Sequence, residues 1–114
     1  FHQFKDLVHQ TGEVKRRTKK IIEIEVETLN EFKEALKSSA DIILLDNFIT
    51  SRLKKCVKML RMNKGACPRP LLEASGGITL KNIRAFAKTG VDRISVGALT
   101  HTRQYMNVSL EIIK

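Results

Sequence analysis

The chain has 114 residues, 42% of them apolar, which is enough for one domain with a core. Its 21 Lys and Arg against 12 Asp and Glu leave a net charge of +9, which favours anionic partners or substrates without naming one. Cys56 and Cys67 form neither a disulfide framework nor a metal-ligand spacing, and point to a reducing, intracellular setting; no apolar run is long enough to span a bilayer, and no cleavable signal is visible.

Taken in chain order, Phe1, Phe4, Leu7 and Val8 recur at helical spacing and predict a short helix ending near Gly12. A basic run, Lys15 to Lys20, follows. From Ile21 to Val26 the pattern alternates, with Ile22, Ile24 and Val26 on one face and Glu23, Glu25 and Glu27 on the other, so a strand is expected. Leu29 to Ser38 reads as a helix through Leu29, Phe32, Ala35 and Leu36, capped by Thr28. Asp41 to Leu45 is an almost wholly apolar strand that ends at Asp46 and Asn47. A second helix, capped by Thr50 or Ser51, carries the stripe Leu53, Cys56, Val57 and Leu60. After a connector at Gly65 to Pro70, Leu71 to Ala74 is a third strand. Thr79 to Thr89 is a third helix, with Leu80, Ile83, Phe86 and Ala87 inward and Gly90 as terminator. Val91 to Val96 is a fourth strand. Residues 101–107 carry no decisive pattern, and Val108 to Ile113 fits a strand or a final helical turn.

Short apolar strands alternating with amphipathic helices predict an α/β fold with a parallel sheet and right-handed crossovers. An open doubly wound sheet and part of a β/α barrel both satisfy that order. No Gly-x-Gly-x-x-Gly follows the first strand, and polar groups sit at every strand's carboxyl end. In a barrel that rim is where chemistry is built, so a barrel segment is the expectation.

Strand parity sorts the polar residues. Glu25 shares a face with Glu23, Asp46 with Leu44 and Ile42, Ser75 with Glu73, and Ser95 and Gly97 with Arg93. Inward carboxylates are costly unless paired or metal-bound. Glu25 and Asp46, on neighbouring strand ends, suit Mg²⁺ or sugar hydroxyls; the plainer alternative is an ion pair for Glu25 and a loop cap for Asp46. Glu73 is expected to pair with Arg93 across the interior. Ser75, Gly76 and Gly77, followed by a helix start at Thr79, suit a phosphate held by backbone N–H groups, with Gly97 supplying the other side. A tight turn needing positive φ is the alternative. His101 lies just past the second loop, and its spacing alone does not assign it.

The seven Lys and Arg between residues 50 and 70 occur with no acid, and read as a solvated helix face or a steering field. Few aromatics interleave with them, so a nucleic-acid module is not expected.

The strings IEVE at 24–27, DIILLDN at 41–47, LEASGGIT at 72–79 with Asn82 after it, TGVD at 89–92 and SVGALTH at 95–101 together resemble the carboxyl-terminal part of quinolinate phosphoribosyltransferase, the decarboxylating nicotinate-nucleotide pyrophosphorylase. The likeness runs from about Glu23 to Ile113. It divides the chain into a helix end and basic connector at 1–20 and a barrel segment at 21–114. A phosphoribosyltransferase-like branch linked to molybdenum transport shares much of the pattern. A non-enzymatic basic binding module is the alternative from another class.

The resemblance implies a cytoplasmic, Mg²⁺-dependent enzyme of NAD biosynthesis, a homodimer or higher homo-oligomer with no nucleic-acid or membrane partner. Its substrates would be quinolinate and phosphoribosyl pyrophosphate. It implies that Glu25 and Asp46 contact the ribose hydroxyls and the metal-bound pyrophosphoryl group. It assigns Ser75, Gly76 and Gly77 to one phosphate loop, and Gly97 and His101 to a second. Members of that family are longer. Their earlier strands and amino-terminal domain supply Arg, Lys and His for the quinolinate carboxylates, so this segment alone is expected to be inactive.

Overall fold

A computed structural model describes residues 21–63, 69–99 and 105–111. The helix expected before Gly12, the run Lys15 to Lys20, Cys67 and His101 lie outside them. The described elements are β1 (Glu23–Val26), α1 (Leu29–Ala35), β2 (Ile42–Asp46), α2 (Thr50–Met62), β3 (Leu71–Ser75), α3 (Ile83–Ala87), β4 (Arg93–Leu99) and β5 (Tyr105–Glu111). The strands form one sheet in the order β1-β2-β3-β4-β5. The first four are parallel, as expected for a barrel segment. The fifth is antiparallel to β4, from the pair Arg93 and Glu111 to the pair Leu99 and Tyr105. The strand option for the last segment therefore holds, starting earlier than Val108.

The alternation decides which face is covered. Ile24, Val26, Ile43, Leu45, Leu72, Ala74, Ile94 and Val96 are all buried on one side of the sheet. Helices α1 and α2 close that side with Phe32, Ala35, Leu53, Cys56, Val57 and Leu60, the stripes read from the sequence. Each large side chain buried there stabilises the fold by about 1.5–3 kcal/mol. Burial also pushes the Cys56 thiol up to about 11, so it is a core residue without nucleophilic character.

Helix α1 starts as a capping box. Thr28 Oγ1 accepts from the Glu31 N–H at 3.1 Å, and Glu31 Oε1 accepts from the Glu27 N–H at 2.8 Å. Helix α2 uses neither expected cap: Ile49 precedes it, without a side-chain cap bond. Helix α3 departs further. It has five residues, begins at Ile83 rather than Thr79, and follows a turn. Leu80 falls in that turn and is 81% exposed, so it does not join the inward stripe. Ile83, Phe86 and Ala87 do pack on the core, and Gly90 ends the unit at φ +96°.

Register is fixed by aspartates at the strand entrances. Asp41 Oδ2 accepts from the Ile22 N–H at 2.8 Å, just before β1. Asp92 Oδ2 accepts from the Leu72 N–H at 2.9 Å, inside β3. Each ties the strand it precedes to that strand's parallel neighbour, and each neighbour's carbonyl accepts the aspartate's own N–H in return. Replacing Asp92 by Ala leaves the Leu72 N–H in a buried setting without that acceptor. Chemical denaturation is expected to show a loss of about 1–3 kcal/mol for Asp92→Ala, and a smaller one for Asp92→Asn, which keeps a side-chain oxygen.

Candidate functional site

The other face of the sheet carries Glu23 and Glu25 on β1, Asp46 on β2, Glu73 and Ser75 on β3, and Arg93 and Ser95 on β4, as the parity predicts. Register sets their heights. Glu25 stands level with Leu44, Asp46 with Ser75, and Glu73 with Arg93. Glu73 and Arg93 are thus side by side on neighbouring strands, not across an interior. Glu73 is buried, and its carboxyl is near enough to Glu23, two strands away, to act on it. Burial first, then the Glu73 charge, raises Glu23 above the usual carboxylate range, with Arg93 opposing.

The carboxyl ends of β1 and β2 bring three acids together. One carboxylate oxygen each from Glu25, Glu27 and Asp46 lie within 4.8 Å of one another. Glu25 is raised above its ordinary value, mostly by lost hydration, next by the Asp46 charge and a hydrogen bond to Asp46, and less by Glu27 and Glu23. Oxygen donors so close suit a small hard cation. The alternation of β1, which puts Glu27 on the face of Glu25, is the sequence signal for it.

Asp46 is joined to the glycine loop. Ser75 Oγ donates to Asp46 Oδ1 at 3.2 Å, and the Asn47 N–H donates to the Ser75 carbonyl at 2.9 Å. Gly76 and Gly77 follow at φ +86° and +69°, left-handed values that favour glycine. Their surroundings differ. A Cβ built at Gly76 would stand 2.5 Å from Asn47 Oδ1 and 2.9 Å from its Cγ, whereas one at Gly77 meets nothing within 4 Å among the described residues. Gly76 is therefore required by its close approach to Asn47 as well as by φ. Gly77 leaves open space above the loop.

Asn82 holds the loop's far side. Its Nδ2 donates to the Gly77 carbonyl at 3.0 Å, and its Oδ1 accepts from the Thr79 N–H at 2.7 Å. That N–H, expected at a helix start and open to an anion, already has a partner. Gly97 lies within β4, opposite Asn107 of β5, so the expected second loop does not begin at that residue.

Residues 1–111 match the family described as quinolinate phosphoribosyl transferase, C-terminal domain. The chain belongs to that family. It is 40% identical over 111 residues to a probable nicotinate-nucleotide pyrophosphorylase [carboxylating] of Methanocaldococcus jannaschii, covering 96% of this chain and 39% of the relative. It is 37% identical over 90 residues to the nicotinate-nucleotide pyrophosphorylase [carboxylating] of Mycobacterium leprae, covering 79% of this chain and 31% of that one. Among solved structures, the nicotinate-nucleotide pyrophosphorylase of Francisella tularensis superposes with a TM-score of 0.66 at 35% identity, over 88% of this chain and 35% of the other. The chain thus spans well under half the length of these quinolinate phosphoribosyl transferase relatives. Among the described residues no helix is long and apolar enough to cross a membrane.

The raised Glu25 has a consequence for stability. A carboxyl whose folded pKa lies above its unfolded value binds its proton more tightly when folded. Ionisation then costs stability fully above the folded pKa, and the cost disappears below the unfolded value near 4.5. With a chelator present, Glu25→Gln is expected to melt at or above the parent at about pH 7, and to match it at about pH 4. A melting scan at the two pH values checks this; a clear loss for Glu25→Gln at the higher pH would show that the carboxylate stabilises the rim.

Proposed function

We propose that the protein containing this chain transfers phosphoribosyl from phosphoribosyl pyrophosphate to quinolinate, with decarboxylation to nicotinate mononucleotide, pyrophosphate and CO₂. The relatives' name describes the same equilibrium from the nucleotide side. One observation carries the reading: the Glu25–Asp46 carboxyl pair is hydrogen-bonded through Ser75 to the loop of Gly76 and Gly77. Acids for a sugar and a cradle for its phosphate thus stand side by side on the carboxyl ends of adjacent parallel strands, where barrels carry out chemistry. The matched relatives bear the pyrophosphorylase name, which favours this reading over a molybdenum-linked branch or a binding module.

In this mechanism Glu25 and Asp46 take the ribose hydroxyls and orient the anomeric carbon. Their negative charge also stabilises the positive charge that spreads over the sugar ring as its bond to pyrophosphate lengthens. The loop from Ser75 to Gly77 holds the phosphate of the same sugar, with His101 and Gly97 assigned to its second side. The carboxylate oxygens of Glu25, Glu27 and Asp46 fit Mg²⁺. Bound there, Mg²⁺ would offset the charge gathering on the departing pyrophosphate. Decarboxylation needs no redox group: as CO₂ leaves, the electron pair of the broken C–C bond stays on the ring carbon, stabilised by the adjacent quaternary nitrogen, and a proton from solvent takes the place of the lost carboxylate.

The two ring carboxylates of quinolinate call for cationic ligands. Within β1 to β4 the one basic residue is Arg93, two positions below Ser95 and level with Glu73. We infer that those ligands come from other parts of a longer chain or from a second copy in a homo-oligomer, and that these 114 residues do not turn over alone. A cytoplasmic enzyme of NAD biosynthesis fits these substrates.

Asp46→Asn keeps size and removes charge. In the longest reading frame that contains this chain, turnover is expected to fall on the order of a hundredfold, with little change in melting temperature. Steady-state kinetics beside a melting curve decide it. Unchanged kinetics with retained Mg²⁺ dependence would sink the assignment.

A further inference from the structure

Asn47 stands between the two halves of this site and belongs to neither. Among the described residues it is the non-glycine residue with positive φ, at +60°. That conformation is unfavourable for a residue with a side chain, less so for Asn than for most. The residue is exposed, so core packing does not force the geometry. Its two contacts do. Its N–H donates to the Ser75 carbonyl at 2.9 Å, beyond the last register pair of β2 and β3. Its side chain crowds the position a Cβ on Gly76 would take, with Oδ1 and Cγ at 2.5 and 2.9 Å from it and the Asn47 backbone N at 2.9 Å. A left-handed turn immediately after Asp46 is what lets one residue make both contacts.

We propose that Asn47 is a positioning residue that braces the Gly76–Gly77 loop in its phosphate-ready shape. The inference rests on the phosphoribosyl-transfer reading and deepens it. The loop is held from two sides: Asn82 takes the Gly77 carbonyl and Thr79 N–H, and Asn47 backs Gly76. The open side above Gly77 is then the direction from which phosphate arrives. A loop that is already in shape loses less freedom on binding, so the brace acts on affinity for the phosphorylated substrate rather than on the chemical step.

The test is Asn47→Gly in the longest reading frame containing the chain. Glycine keeps the left-handed backbone and removes the side chain. Amide hydrogen exchange at Ser75 to Ile78, measured without ligand, is expected to speed up. KM for phosphoribosyl pyrophosphate is expected to rise about tenfold, while kcat and KM for quinolinate stay within about threefold. Binding of inorganic phosphate, read by calorimetry, should weaken in parallel. Unchanged exchange at the loop overturns the inference whatever the kinetics show. A joint loss of kcat, both KM values and melting temperature also overturns it, because that is general destabilisation. If the parent lacks transferase activity but the loosened loop still binds phosphate more weakly, the brace stands and the assigned reaction falls.

Discussion

The parallel register of β1, β2 and β3 is the constraint on which the site depends. It sets Asp46 level with Ser75 and brings Glu25 within reach of Asp46. A slip of one residue would turn every acid of the rim into the helix-covered core. A slip of two would keep the faces but carry Asp46 about 6.6 Å from Ser75 along the strands. At the opposite end of the sheet the Asp41 carboxylate opposes a slip of β1 against β2 and the Asp92 carboxylate one of β3 against β4, while backbone bonds, Leu71 N–H to the Asp41 carbonyl and Asn47 N–H to the Ser75 carbonyl, hold the two ends of the β2–β3 pair. Asp41 and Asp92 each accept a neighbour's backbone N–H and return their own to that neighbour's carbonyl. Chemistry at the carboxyl ends is thus held in place in part by hydrogen bonds at the amino ends.

Charge is segregated across the sheet. The exposed side of α2 carries Arg52, Lys54, Lys55, Lys58 and Arg61. The uncovered sheet face carries Glu23, Glu25, Asp46 and Glu73 with Arg93. A chain of net charge +9 thus gathers four acids on one sheet face. That concentration opposes stability, as the raised Glu23 and Glu25 indicate. Carboxylates gathered at the ends of β1 and β2 are poor structural elements and suitable ligands for a cation, which is why the rim reads as a site.

Much of this was legible in the sequence where a periodic pattern met a covered face. The alternation of β1 gave Glu25 its side, and the stripe Leu53, Cys56, Val57 and Leu60 gave α2 its buried face. Contacts between distant residues were not legible. The double glycine was read as room for an anion, yet Gly76 is also small because Asn47 lies against it. The spacing of Leu80, Ile83, Phe86 and Ala87 predicts a third helix from Thr79. The Thr79 N–H instead goes to Asn82, which delays the helix to Ile83 and turns Leu80 outward. Nor could parity show that Glu73 would act on Glu23 from two strands away, since a period of two sets the face and not the distance between strands. The antiparallel β5 had no signature beyond a short apolar stretch.

A titration with phosphoribosyl pyrophosphate and Mg²⁺, followed by backbone amide chemical shifts, tests most directly whether this rim is the phosphoribosyl site. Shifts concentrated at Asp46, Ser75, Gly76 and Gly77 are predicted, with little change along α2. Shifts confined to the basic outer face of α2, or none at the glycine loop at saturating ligand, would contradict it.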